Sequence, residues 1–183
     1  MKKETAAQIE KILHSCVSRT LKRIEKDETF RPFHEALLTK ELVTASAFER
    51  SFSTSFGQGP IEEISQLLAI ANGYECKRQH EIHVDITKSA RDEITRIIAA
   101  LRSGDSKPNW EKEIKRVCAL EKGDRITERV ISDLWMKDKK EETCISIKTV
   151  KPNIDQSEKA KIDMLLLKAH DSKIQTFFGL YYN

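Results

Sequence analysis

The stretch whose reading decides the fold is Ile126-Thr127-Glu128-Arg129-Val130-Ile131-Ser132-Asp133-Leu134-Trp135-Met136-Lys137, then Asp138-Lys139-Lys140-Glu141, then Thr143-Cys144-Ile145-Ser146-Ile147-Lys148-Thr149-Val150. Both flanks are rich in β-branched residues and the centre is polar, so the spacing predicts two strands joined as a hairpin. Pro152-Asn153 ends the second strand. Beyond it, Asp155 or Ser157 can cap a helix reaching about Ala169, with Ile162, Leu165, Leu166 and Ala169 as its inner stripe. Residues 174–182 read as a last strand.

Upstream of the hairpin the chain reads as helical. Ile9, Ile12, Leu13, Cys16, Val17, Leu21 and Ile24 form an apolar stripe over residues 4–27, and short helical pieces follow through Leu37, Leu38, Leu42 and Phe48. Residues 51–60, rich in small hydroxylic residues and punctuated by glycines, read as a loop. Pro60 suits a first helical turn and Glu62 and Glu63 suit its dipole, with Ile61, Ile64, Leu67, Leu68 and Ala71 as the buried face. Further helices are expected over residues 87–102 and from Asn109 to about Leu120. The order expected is several helices, strand, turn, strand, helix, strand.

The chain has 183 residues, of which 39% are hydrophobic and 33% charged, a balance that fits a globular protein of one domain. We expect a single domain over residues 1–183, with a helical part of about 1–122 and a hairpin, helix and strand part of about 123–183. The sequence stops at Tyr181-Tyr182-Asn183, directly after a strand, so the expectation is a chain truncated at its carboxyl end. No apolar run approaches a membrane span and no signal core opens the sequence, which points to the cytoplasm. Cys16, Cys76, Cys118 and Cys144 are scattered with no paired spacing, which argues against zinc and for reduced thiols. The net charge of +3 permits a nucleic-acid partner without requiring one.

The second hairpin strand carries the chemical clue. Side chains alternate along a strand, so Ser146 and Lys148 share one face and Ile145 and Ile147 the other. Asp133 lies on the preceding strand. Glu158, four residues before Ile162, falls on the inward side of the next helix. Asp133, Ser146, Lys148 and Glu158 are thus expected to converge at one end of the sheet. Carboxylates beside a lysine suit metal-assisted phosphodiester hydrolysis, because magnesium needs only one or two carboxylates and keeps several waters. The lysine would position the attacking water or offset charge in the transition state. The plainer alternatives are a strand-end lysine reaching water and a carboxylate at a helix N-terminus.

Asp133, the hairpin, Ser146-Ile147-Lys148 and the following helix and strand resemble the PD-(D/E)XK nuclease core, a mixed sheet flanked by helices in the order αβββαβ. Longer blocks resemble the MjaII/TdeIII family of type II restriction endonucleases. These are residues 48–58 with Ile61-Glu62, Lys107-Pro108-Asn109-Trp110-Glu111 through Arg116, Arg129 to Trp135 with residues 145–153, and the tail at residues 163–170 and 178–183. The resemblance implies Mg2+-dependent cleavage of double-stranded DNA at a short site of the GGNCC kind, by a homodimer. It also implies a cognate DNA methyltransferase in the same system, with no direct contact. Where the superfamily usually has an acidic residue this chain has Ser146, so a carboxylate from the next helix is expected instead: Glu158 first, Asp163 second. In this superfamily the first core helix often supplies a metal-linked glutamate, which makes Glu62, ahead of Glu63, a third metal residue beside Asp133 and Glu158.

Arg50, Ser53, Thr54, Ser55 and Gln58 are the expected DNA contacts, through a guanidinium, hydroxyls and an amide. The alternative is a segment stitched together by its own hydroxyls. Trp110 and Trp135 are read as core, and His80 and His83 as surface residues. Two other functional classes stay open: a repair or junction nuclease of the same core, and an inactive or truncated DNA-binding fragment.

Overall fold

The computed structural model describes residues 2–26, 32–57, 59–149 and 151–180. The predicted hairpin is there, with β2 spanning Arg125–Lys137 and β3 spanning Glu142–Lys148. The Asp138 carboxylate tightens its turn by accepting the backbone N–H groups of Lys140 and Glu141, both at 2.8 Å. These two bonds hold the Asp138 carboxyl below the usual carboxylate range. Val150, expected in the second strand, lies outside the described residues.

The first part, expected to be mainly helical and read without a strand, also holds a long strand, β1, at Glu75–Thr87. It pairs antiparallel with β2 along almost its whole length, from Glu75 opposite Lys137 to Thr87 opposite Arg125. On the other side of the hairpin, β4 (Gln175–Leu180) runs parallel to β3. The connection between those parallel strands is the helix Ile154–His170, as a parallel pair requires. Asn153, rather than Asp155 or Ser157, caps that helix: its side chain accepts the Gln156 N–H while the Gln156 side chain returns to the Asn153 N–H. The result is a mixed α/β architecture with a four-stranded sheet in the order β1-β2-β3-β4.

Numbered along the chain, the helices are α1 (Lys3–Glu25), α2 (Pro32–Leu37), α3 (Lys40–Gly57), α4 (Pro60–Ala71), α5 (Lys88–Ser103), α6 (Trp110–Cys118) and α7 (Ile154–His170). Residues 51–57, expected as a loop, belong to α3. Phe48, Phe52 and Phe56 recur at helical spacing and stack, with ring centroids 5.7 and 5.6 Å apart, and this ladder outweighs the local preference of serine and glycine for turns. Pro60 opens α4, Thr87 and Asn109 cap α5 and α6, and Gly104 ends α5 with a left-handed φ of 81°.

Two cores sandwich the sheet. Val84, Ile86, Val130, Trp135 and Cys144 pack against Ile94 and Ile97 of α5, Val117 of α6 and Leu165 and Leu166 of α7. Cys76, Leu134 and Ile147 pack instead against Ile61 and Ala69 of α4. Strict alternation would put Cys76 and Val84 on the same face, and likewise Val130 and Leu134. They lie in different cores, so the two strands turn over between those positions. The turnover falls at Gln79, which has a φ of 47°. Its neighbours keep their register, Arg78 opposite Leu134 and His80 opposite Ser132, but Gln79 and the residue across from it, Asp133, are not paired. All four cysteines are free thiols, and burial pushes Cys144 up to about 11. Among the described residues no helix is long and apolar enough to cross a membrane.

Candidate active site

The site forms where the sheet turns over. The Asp133 side chain is 20% accessible, and it is fixed from β3. Its Oδ2 accepts the Ile147 backbone N–H at 2.6 Å and the Ser146 hydroxyl at 3.3 Å, and the Lys148 Nζ stands 3.6 Å away. From the other edge, the Gln79 amide donates to Asp133 Oδ1 at 3.2 Å and to Glu62 Oε1 at 2.8 Å. Glu62 comes from the first turn of α4. Burial holds its carboxyl above the usual range; the Gln79 bond opposes that shift and the charge of Asp133 adds to it.

An amide that bonds two carboxylates at once brings their oxygens within reach of a single point. The arrangement fits a hard divalent cation, which takes oxygen ligands and completes its shell with water and substrate phosphate. Three His, Cys, Asp or Glu side chains do not cluster in a metal-holding group anywhere among the described residues. The two acids that the Gln79 amide joins are Glu62 and Asp133.

Helix α7 closes the other side of the groove. Gln156, Lys159, Ala160 and Asp163, spaced as one helical face, line it together with Asp133, Ser146, Lys148 and Arg129. Burial raises the Asp163 carboxyl above its usual range, against the ion pair with Lys159 at 2.6 Å, and the charge of Asp133 pushes the same way. Glu158 does not join them. It points to α5, where Arg102 holds it at 3.0 Å together with Asp155 at 2.8 Å.

The structure thus brings together Asp133, Ser146, Lys148 and Glu62, leaves Glu158 outside the groove, and puts its alternative Asp163 inside. Gln79 and Arg129 were missed, and no motif marks either one. The expected DNA-contact residues lie elsewhere, on α3. Arg50 lines a second groove with Lys22, Arg23, Lys26 and His34. Ser53 donates to Glu49 at 3.2 Å, Thr54 to the Arg50 carbonyl at 2.9 Å, and Ser55 accepts from Arg23 at 2.7 Å. These hydroxyls are engaged within the fold, Ser53 and Thr54 inside α3 and Ser55 with α1. Gln58 lies outside the described residues.

Comparison with known proteins agrees on one family. The family described as HinfI, type II restriction endonuclease, matches residues 1–183. The type II restriction enzyme MjaII of Methanocaldococcus jannaschii is 32% identical over 152 residues, which are 78% of this chain. The match spans 40% of that enzyme's length. No solved structure matches the chain.

Proposed function

Because the chain belongs to the HinfI family of type II restriction endonucleases, we propose that it hydrolyses phosphodiester bonds of double-stranded DNA at a short specific site, using Mg2+. The observation that carries this reading is the Asp133 carboxylate held between Lys148 and Glu62 on one sheet surface, with Gln79 bridging the two acids. The element order supports a PD-(D/E)XK core as well: α4, β1, β2, β3, α7 and β4 run αβββαβ, with α5 and α6 inserted between the first two strands. We take residues 1–183 as one nuclease unit, the helical part contributing Glu62 and the hairpin part Asp133 and Lys148.

Glu62 and Asp133 are the residues that would hold the cation, which when bound polarises the phosphoryl oxygen and makes a coordinated water more nucleophilic. Lys148, a cation beside Asp133, orients the attacking water or offsets charge on the phosphorane oxygens. Ser146 occupies the usual acidic position and donates to Asp133, so its hydroxyl steadies that carboxylate. Asp163, rather than Glu158, is the candidate α7 carboxylate, since it lines the groove beside Asp133 and Lys148 and Glu158 does not. Lys159 and Arg129 add cationic character to its walls and suit the phosphates on either side of the scissile bond. Arg50 and its basic neighbours on α1 are the candidates for backbone contacts farther along the duplex.

The finer assignments follow from the family resemblance: a site of the GGNCC kind, action as a homodimer, a cognate methyltransferase and a place in the cytoplasm. The test is incubation of unmethylated linear DNA with the chain in Mg2+ or EDTA, with the new ends sequenced. Ends sharing one short sequence, made only with Mg2+, are the expected result. Ends at random sequences would favour a repair or junction nuclease, and DNA binding without any ends an inactive relative.

A further inference from the structure

We infer that Gln79 is a direct ligand of the divalent cation, a neutral oxygen donor that takes the place left by the missing acid in β3. The inference rests on the reading of Glu62 and Asp133 as the metal carboxylates. Its side-chain amide already reaches both of them, at 2.8 Å and 3.2 Å. The two ends of a carboxamide are borne on one carbon, so a half-turn about the last side-chain bond exchanges the N–H2 donor for the carbonyl oxygen. That oxygen then faces the point the two carboxylates share. Hard cations accept carboxamide oxygens alongside carboxylates.

The backbone supplies an independent observation. Gln79 has the left-handed φ of 47°, and it is the only non-glycine residue with a positive φ among the described residues. Glycine or asparagine would meet that demand with less strain. The chain carries instead a longer side chain, directed at the acidic pair across the interruption in β1–β2 pairing. Strain held at one residue while its side chain serves a cluster of charges is the pattern of a site rather than of a strand. On β3, Ser146 contributes a hydroxyl that is engaged with Asp133, so no second carboxylate comes from that strand.

A donor-only role is the rival. There the amide N–H2 neutralises the acids and competes with a cation for their oxygens, so its removal leaves metal affinity the same or tighter. The ligand role predicts the opposite. Isothermal titration of the full chain with Mn2+ distinguishes them, using Gln79→Ala, Gln79→Gly, Gln79→Glu and Asp133→Asn, each with a thermal melt. We expect Gln79→Ala and Gln79→Gly to bind Mn2+ about tenfold more weakly or worse, with Gln79→Gly melting no lower than the parent because glycine relieves the φ. Gln79→Glu should equal or exceed the parent in affinity and show a larger Mn2+-induced rise in melting temperature. Parent-like or tighter binding by Gln79→Ala and Gln79→Gly would overturn the ligand assignment. Parent-like binding by Asp133→Asn would instead overturn the metal reading on which it rests.

Discussion

Asp133 of β2 accepts the backbone N–H of Ile147 at 2.6 Å, so the central carboxylate of the groove is anchored to the strand that carries Lys148. One oxygen is oriented by β3, and the other is left to face Gln79 and Glu62. Holding a reacting group at a fixed geometry before substrate arrives is a large part of what an active site supplies.

That anchoring separates two substitutions of the same residue. Asp133→Asn keeps an acceptor for the Ile147 N–H and should fold normally while losing cleavage. Asp133→Ala strands the N–H and should also cost about 1–3 kcal/mol of stability. Urea melts beside DNA digestion check this. Equal stability of the two variants would argue against the anchor.

The α7 carboxylates should differ in kind. Asp163→Asn, in the groove, is expected to lower the cleavage rate by at least about tenfold. Glu158→Gln, paired with Arg102 on the far face, should change stability slightly and the rate little. Single-turnover rates for both variants decide it, and a larger loss in Glu158→Gln would restore that residue to the site.

Glu62 and Asp163 give a pH signature. Both carboxyls are raised by burial above their ordinary values of 4.5 and 3.8, so the folded chain binds their protons more tightly than the unfolded chain. The stability they contribute is full below those ordinary values and is lost as pH rises through the raised ones. Metal-free protein should therefore melt higher on mild acidification within that window, and the double variant Glu62→Gln, Asp163→Asn should show a flatter profile. Melts at a series of pH values in EDTA test it; an unchanged slope would contradict it.

The aromatic ladder of α3 should carry stability. Phe52 stacks on Phe48 and Phe56, and Phe52→Ala should cost about 2 kcal/mol from lost burial and ring contact. A denaturant melt measures it, and a loss near zero would question the helix that replaces the expected loop.

The sequence was most legible where period and chemistry agreed. The hairpin, the α7 crossover and β4 announce themselves through β-branched runs and an apolar stripe, and Asp133 and Lys148 lie within them. β1 was hidden because Lys77-Arg78-Gln79-His80-Glu81 is an unbroken polar run, and the strand turns over there at the edge of the groove. In α3 the phenylalanine spacing was outvoted by serine and glycine composition. Glu158 does share a face with Ile162, as read, but that face meets α5 and Arg102, while the face of Lys159 and Asp163 meets the sheet groove. A helix packed between two neighbours has two inward sides, and one sequence stripe does not say which is which. Gln79 carries no motif at all; its place in the groove emerges only from the register that sets it across from Asp133.

The most direct test of the central claim is digestion of unmethylated plasmid DNA in Mg2+ by the chain and by Lys148→Ala. The account predicts discrete fragments from the parent and none from the variant, while the variant still binds DNA and melts as the parent does. Identical fragments from both would remove Lys148 from the chemistry, and the absence of cutting by the parent would contradict the proposed activity of this chain.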